Sequence, residues 1–154
     1  MEVQVVPSEA LQKVAEFCNR YLVCDEEVES YLRKRDISLD SIKKFKIGAW
    51  PKNSFVARKQ LGDSILKEAK VLWYDKDEGV EVVKFQHHRL VMPMYDANGN
   101  CVSIMGRTIY SAEKQKELGL PKYINTGYHK RLHLFGLNLA KDSIRKTKKA
   151  LVVE

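Results

Sequence analysis

The feature of this sequence best suited to chemistry is a concentration of positive charge close to its C-terminal end. The formal net charge is +7, and the segment from residue 122 to residue 149 accounts for all of it, because eight basic residues there face one acidic residue, Asp142. The eight are Lys122, Lys130, Arg131, Lys141, Arg145, Lys146, Lys148 and Lys149. Clustered lysines and arginines neutralise phosphates and release counterions. The segment therefore indicates a surface that faces a polyanion, and a solvated helix face is the alternative that charge alone leaves open.

Metal and disulfide chemistry find little support in the residue spacing. The three cysteines, Cys18, Cys24 and Cys101, form neither a C-x-x-C pair nor an even set, so the sequence signals no zinc site and no disulfide framework. His87 and His88 are adjacent, but no cysteine or acidic residue stands at a metal-ligand spacing from them. We therefore expect buried or half-buried thiols in a reducing compartment and no metal at the histidines.

Length and composition restrict the class of protein. A chain of 154 residues with 44% apolar residues can bury one hydrophobic core. The charged fraction of 31% and the lack of a long apolar run argue against a membrane-spanning or secreted protein. We expect a cytoplasmic protein without a membrane partner. It is predicted to be a single domain, with a helical segment at 1–70, a mainly β segment at 71–136, a basic helix at 137–149 and a strand at 150–154.

The elements in the first part of the chain are predicted to be helices. After Ser8, an apolar stripe at helical spacing contains Leu11, Val14 and Phe17. Asp25 and Ser38 are good N-cap residues for two further helices, and the first of these has acidic residues in its first turn and basic residues in its last, as a helix dipole favours. These three helices are expected to form a compact helical unit at the N-terminal end of the domain.

The elements in the second part are predicted to be antiparallel hairpins, which gives an α+β fold. Strands at 71–74 and 80–83 flank one turn, and strands at 89–95 and 101–110 flank a second turn at 96–100 that contains Asn98-Gly99. Trp50 and Trp73 are predicted to be core or edge aromatics rather than platforms for stacked bases. The last helix is predicted to bury Leu137, Ala140 and Ile144, and the apolar run at 150–153 is predicted to be a buried strand.

Three segments, taken in order, carry a resemblance to a known family. The first reads YLRKRDIS from Tyr31 and then FKIGAWP from Phe45; the second reads RLVMPMYD from Arg89 and ends at Gly106-Arg107; the third reads PKYIN from Pro121, with HK at His129 and LFGL at Leu134. In this order and spacing they resemble the polymerase domain of the DnaG-type DNA primases of bacteria and phages. The resemblance implies the N-terminal subdomain of that catalytic core. Asp36 and Met105 replace two glycines of the family pattern, which indicates a divergent member, such as one from a phage or plasmid.

The resemblance also implies which residues bind DNA and nucleotide. The residues that it places along the template groove and nucleotide site are Arg35, Arg89, Arg107, Lys122, Tyr123, Asn125 and Lys130. Their chemistry suits this role, because arginine grips two phosphate oxygens, tyrosine stacks on bases and asparagine bonds to sugar or base edges. Structural alternatives stay open: Arg35 could cover the core or cap a helix, Arg107 could form an ion pair, and Tyr123 could anchor a loop.

The same resemblance implies a role for the last residue of the sequence, Glu154. In the family the last helix leads into the first strand of a Toprim fold, whose glutamate and a later D-x-D motif handle the catalytic metal ions. The resemblance thus assigns Glu154 a catalytic and metal-binding role, and it implies Mg²⁺ or Mn²⁺ in the complete enzyme. One carboxylate cannot hold a pair of metal ions. We therefore expect this piece to bind no cofactor and to be inactive alone.

The function that the resemblance implies is RNA primer synthesis in DNA replication. Its partners would be single-stranded DNA, nucleoside triphosphates and, in the full-length protein, a replicative helicase. Two alternatives from other classes stay open at this point. One is a stand-alone single-stranded nucleic-acid-binding module or regulator without catalysis, and the other is a basic structural protein that binds nothing specific.

Overall fold

A computed structural model describes residues 9–127 and 131–153. The first part is helical, with α1 at Glu9–Tyr21, a 3₁₀ turn at Leu22–Cys24, α2 at Glu26–Lys34, α3 at Leu39–Phe45, a short strand β1 at Gly48–Ala49, α4 at Phe55–Leu61 and α5 at Asp63–Glu68. The second part contains β2 at Leu72–Asp75, β3 at Val80–Val83, β4 at Leu90–Tyr95, β5 at Cys101–Arg107, α6 at Ala112–Glu117, β6 at Tyr123–Asn125 and α7 at Leu137–Thr147. None of these helices is long and apolar enough to cross a membrane. The predicted α+β fold class is confirmed.

The predicted helix starts are confirmed wherever the structure describes them. Asp25 caps α2 by accepting a hydrogen bond from the backbone N–H of Val28 at 3.1 Å, and the Ser38 hydroxyl caps α3 by accepting one from Ser41 at the same distance. Ser8 lies outside the described residues. The predicted stripe of α1 is buried, because that helix packs its apolar side against the sheet.

Two sheets carry the strands, and both predicted hairpins are confirmed. Strands β1, β4, β5 and β6 form a four-stranded antiparallel sheet in that order, and β2 pairs with β3 in a separate two-stranded sheet. The turn at 96–100 uses Gly99 at a φ of +86°, which glycine adopts without strain. Asp75 accepts hydrogen bonds from the backbone of Asp77 and Glu78. These hydrogen bonds hold residues 75–78 in the turn that joins β2 to β3.

Two glycines in the family-like segments are required by close packing. A Cβ at Gly48 would lie 2.5 Å from the carbonyl carbon of Cys18, so α1 can cross β1 only where the side chain is absent. A Cβ at Gly106 would lie 2.6 Å from the Phe85 ring and 2.8 Å from the carbonyl oxygen of His88. Both contacts are far shorter than carbon atoms tolerate, which accounts physically for glycine at these positions.

Two predictions for the C-terminal end are wrong. Helix α7 has no buried residue: Leu137 and Ile144 are only partly covered and Ala140 is exposed. The apolar run at 150–153 forms no strand, and Leu151 is 91% exposed. The reason is the lack of a partner, because a strand needs a neighbour for its backbone hydrogen bonds and an apolar helix side needs a surface to cover it. Within residues 9–127 and 131–153, no strand pairs with residues 150–153 and no element covers the apolar side of α7 completely.

Candidate nucleic-acid interface

Four side chains from three distant segments meet at one edge of the four-stranded sheet. Arg107 is the last residue of β5, and Tyr123, the first of β6, lies directly opposite it in the strand register. Tyr31 and Arg35 come from the end of α2, one helical turn apart, so their side chains are neighbours. We call these four residues the arginine–tyrosine cluster.

Hydrogen bonds and ring contacts hold the arginine–tyrosine cluster together. The Nε of Arg107 donates to the hydroxyl oxygen of Tyr31 at 2.9 Å, and its Nη1 donates to the hydroxyl oxygen of Tyr123. The guanidinium of Arg107 also lies 5.0 Å from the ring centre of Tyr123, and the guanidinium of Arg35 lies 5.0 Å from that of Tyr31. Two cationic groups are thus oriented by aromatic rings.

The charge of the arginine–tyrosine cluster is not neutralised within the described part of the chain. No carboxylate there forms an ion pair with Arg35 or Arg107; the partners of Arg107 are neutral hydroxyls. The ion pair considered as an alternative for Arg107 is therefore not found among these residues. A guanidinium has five N–H donors, and the two tyrosines occupy two of them. The others suit an anionic ligand such as phosphate.

Strand β6 and the residue directly before it add two further predicted residues beside the arginine–tyrosine cluster. Asn125 shares a face of the sheet with Tyr123, because alternate residues of a strand point the same way. Its side-chain oxygen accepts a hydrogen bond from the backbone N–H of Gly127 at 2.8 Å, which leaves the amide nitrogen for other contacts. Lys122 is exposed, and its carbonyl accepts a hydrogen bond from Thr108.

The two family glycines that this chain lacks have different structural consequences. Asp36 has a φ of +56°, a left-handed conformation that glycine adopts most easily and aspartate tolerates better than most residues. The backbone geometry expected of a glycine is therefore kept. Met105 lies opposite Asn125 in the sheet register, on the same face as Arg107, so here a long side chain is added to the candidate interface.

Arg89 is buried rather than exposed. Its side chain is 7% exposed and forms ion pairs with Asp25 and with Glu27, the latter at 2.6 Å. Its Nε donates to the carbonyl oxygen of Trp50 at 3.0 Å. These contacts fix the start of α2, the helix whose end carries Tyr31 and Arg35. A direct contact with DNA needs exposure, so the binding role assigned to Arg89 stays a prediction, whereas its contacts position the arginine–tyrosine cluster.

One positioning residue was missed from the sequence. His88 is buried, and its Nε2 lies 2.7 Å from the carbonyl oxygen of Pro121, directly before Lys122 and Tyr123. Burial, together with the nearby charges of His87 and Lys84, lowers the pKa of His88 in spite of this hydrogen bond. The contact spans 33 residues, so no local spacing could have revealed it.

The remaining predicted site residues lie outside the described part of the chain. These are Lys130 and Glu154. Within residues 9–127 and 131–153 no three histidine, cysteine, aspartate or glutamate side chains come together as metal ligands. The described residues therefore do not fit a catalytic metal by themselves, and the metal role of Glu154 stays a prediction.

The fold and the arginine–tyrosine cluster define an α+β protein with a cationic and aromatic surface at one edge of its sheet. Residues 17–141 match the family described as the DNA primase catalytic core, N-terminal domain, and the chain belongs to that family. It is 30% identical over 150 residues to the DNA primase of Haemophilus influenzae, across 95% of this chain and 25% of that protein. The chain thus spans about a quarter of the length of that relative. The predicted family resemblance is confirmed, while the phage or plasmid origin stays a prediction.

Solved primase structures share this fold. The structure of the zinc-binding and RNA polymerase domains of the Aquifex aeolicus primase superposes with a TM-score of 0.71 at 28% identity, over 89% of this chain and 34% of that one. A DnaG primase catalytic domain bound to single-stranded DNA superposes with a TM-score of 0.69 at 25% identity, over 88% of this chain and 44% of that one.

Proposed function

We propose that this chain is the part of a DNA primase that holds single-stranded template DNA and nucleoside triphosphate phosphates during RNA primer synthesis. The observation that carries the proposal is the arginine–tyrosine cluster, in which Arg35 and Arg107 have no carboxylate partner among the described residues. Membership of the primase core family supports it, as does the single-stranded DNA bound to a similar catalytic domain.

The proposed contacts follow from the chemistry of each side chain. Arg107 and Arg35 grip phosphate oxygens, and Lys122 supplies a further positive charge. Tyr123 is 44% exposed, so its ring can stack on a base while its hydroxyl stays bonded to Arg107. Asn125 can bond to a sugar or base edge. A surface of this kind binds single strands with little sequence preference.

The complete enzyme needs parts that lie elsewhere in the primase. We propose Glu154 as one carboxylate that holds Mg²⁺ or Mn²⁺ in the full-length protein, with its other ligands outside this chain. The metal would activate the attacking hydroxyl and neutralise the leaving pyrophosphate. Lys130 is proposed as a further phosphate contact, and a replicative helicase as a partner of the full-length protein.

The test compares the arginines with a matched surface lysine. Binding of a fluorescent oligothymidylate is measured by anisotropy at several salt concentrations for the 154-residue chain and for Arg35→Gln, Arg107→Gln and Lys116→Gln. Each arginine variant should bind more weakly and lower the slope of log affinity against log salt by about 1, because one phosphate contact is lost. Lys116 is exposed on α6 and its variant should behave as wild type. Equal affinities and slopes for all four proteins would refute the proposed binding surface.

Catalysis is tested separately on the full-length gene product. With Mg²⁺ or Mn²⁺ and single-stranded template it should make RNA primers, and Arg107→Gln should reduce the yield. Template binding without primer synthesis would instead favour the binding-module alternative.

A further inference from the structure

A basic pocket separate from the arginine–tyrosine cluster lies near the far end of β6, and we call it the second pocket. It has a volume of about 340 Å³ and is lined by Lys67, Lys70, Leu72, Trp73, Lys84 and Thr126. Its walls come from α5 and the turn after it, from the β2–β3 hairpin and from the residue that follows β6. Volumes of roughly 300 to 1,000 Å³ are typical of small-molecule sites. The pocket is therefore large enough for one nucleotide.

The charge of this second pocket is entirely positive. Its three lysines form no ion pair within the described part of the chain. The acidic side chains of Asp63 and Glu81, which lie on the neighbouring elements α5 and β3, are both bound by Arg58. Asp63 also feels the charge of Lys67, which helps to lower the pKa of this carboxyl, but no carboxylate lines the cavity itself. Lysines that face one cavity repel each other, and a bound anion would relieve that repulsion.

Trp73 gives the second pocket an aromatic wall, which differs from the core or edge role that the sequence predicts for this residue. It is 40% exposed, although tryptophan is usually buried when it serves only to pack. It lies opposite Val82 in the hairpin register, so Lys84, two residues further along, lies on the same face. The Lys84 ammonium is 5.3 Å from the ring centre of Trp73, and partial burial lowers the pKa of Lys84. A flat aromatic surface beside cationic groups is the combination that binds a base and its phosphate.

We propose that the second pocket binds a nucleotide, with the base stacked on Trp73 and the phosphate among Lys67, Lys70 and Lys84. The inference rests on the proposed function and extends it, because β6 joins the two sites. Tyr123 begins β6, and Thr126 follows its last residue; three residues of strand span about 10 Å. Tyr123 and Thr126 are three positions apart, so their side chains lie on opposite faces of the sheet. Because β6 is the edge strand, a single strand that crosses the arginine–tyrosine cluster would reach the second pocket by passing around this edge.

Intrinsic fluorescence can report on the second pocket directly. The chain has two tryptophans, of which Trp50 is fully buried, so quenching by a stacked base should come from Trp73. Emission is followed while oligothymidylate, thymidine monophosphate or inorganic phosphate is added to the 154-residue chain. Quenching by the oligonucleotide, with at least tenfold weaker binding of the free nucleotide, assigns the pocket to a nucleic-acid strand. Equal affinity for the monophosphate would assign it to a free nucleotide, which also supports the pocket.

Variants separate the second pocket from the arginine–tyrosine cluster. Trp73→Leu should lower oligonucleotide affinity about fivefold or more, the lower limit for one stacked base. Lys70→Gln should also weaken binding and lower the slope of log affinity against log salt by about 1. Tyr74→Leu and Lys76→Gln are the controls, because both residues are exposed in the same hairpin and neither lines the pocket. Circular dichroism checks that all variants fold.

The outcomes distinguish this inference from the proposed function. If Arg107→Gln weakens binding while Trp73→Leu and Lys70→Gln leave it unchanged, and Trp73 emission does not respond to bound DNA, the second pocket is no nucleotide site but the proposed function stands. If Trp73 responds and Arg107→Gln has no effect, the pocket is supported and the arginine–tyrosine cluster is not.

Discussion

The Nε2 atom of His88 lies 2.7 Å from the carbonyl oxygen of Pro121. This contact joins the start of β4 to the segment that leads into Lys122 and Tyr123. Because Nε2 must donate to a carbonyl oxygen, the neutral ring carries its proton on that nitrogen. His88 is buried and is not itself proposed to contact DNA. It nevertheless positions Lys122 and Tyr123, the two residues that are proposed to do so.

Replacing His88 should therefore weaken both the fold and DNA binding. In His88→Leu the Pro121 carbonyl loses its donor, which should lower the free energy of unfolding by about 1 kcal/mol. Oligonucleotide affinity should fall as well, because Tyr123 is no longer held against Arg107. His88→Gln keeps an N–H donor and should recover part of both losses. Urea unfolding and anisotropy measure the two effects, and equal DNA affinity for the two variants would contradict the positioning role.

The lowered pKa of His88 predicts a pH dependence of stability. In the unfolded chain a histidine titrates near 6.5, whereas the buried His88 titrates lower. Below pH 6.5 the unfolded state therefore binds more protons than the folded state, so the free energy of unfolding should fall as the pH falls. The slope from this one group is at most about 1.4 kcal/mol per pH unit.

A comparison with His88→Gln isolates this group from the other histidines. The wild-type chain should lose stability more steeply than the variant between pH 6.5 and the folded pKa of His88, as measured by urea unfolding at a series of pH values. Parallel pH curves for the two proteins would mean that His88 titrates alike in the folded and unfolded states.

Local spacing predicted much of the fold. The caps at Asp25 and Ser38 and the turn at 96–100 are set by neighbouring residues, so short patterns were sufficient to identify them. The helical spacing of apolar residues in α7 and the apolar run at 150–153 also predicted burial. Burial, however, needs a partner surface. Within the described residues no surface covers these side chains completely, and the sequence pattern alone could not show that.

The candidate site was predictable only in part. Tyr31, Arg107 and Tyr123 are far apart in sequence, and no spacing rule brings them together. The family resemblance assigned a binding role to Arg107 and Tyr123. It assigned none to Tyr31, which begins the first family-like segment and whose hydroxyl accepts a hydrogen bond from Arg107. The resemblance also grouped Arg89 with the binding residues, although its acidic partners lie at the start of α2. Pairings of this kind depend on tertiary contacts and become visible only in the folded chain.

The left-handed conformation of Asp36 predicts that glycine would be tolerated there and alanine would not. Because Asp36 has a φ of +56°, Asp36→Gly should raise the free energy of unfolding by up to about 1 kcal/mol. Asp36→Ala should destabilise the chain, because its Cβ is strained in this conformation and it cannot form local hydrogen bonds as aspartate does. Lys34→Gly, at the end of α2, is the control and should destabilise. Thermal unfolding ranks the four proteins, and a more stable alanine than glycine variant would contradict the backbone argument.

The buried ion pair of Arg89 predicts a loss of stability that a second substitution can repair. Arg89→Met leaves Asp25 buried without a counter-charge, which should cost about 3 to 5 kcal/mol. Asp25→Asn removes the charge but keeps a side-chain oxygen that can cap α2 at Val28. The double variant Arg89→Met, Asp25→Asn should therefore be more stable in urea than Arg89→Met alone. Glu27 is about half exposed and can turn to solvent without repair. If the second substitution instead adds its own loss to the first, the pair is not the contact that holds α2, and the arginine–tyrosine cluster must be positioned by other residues.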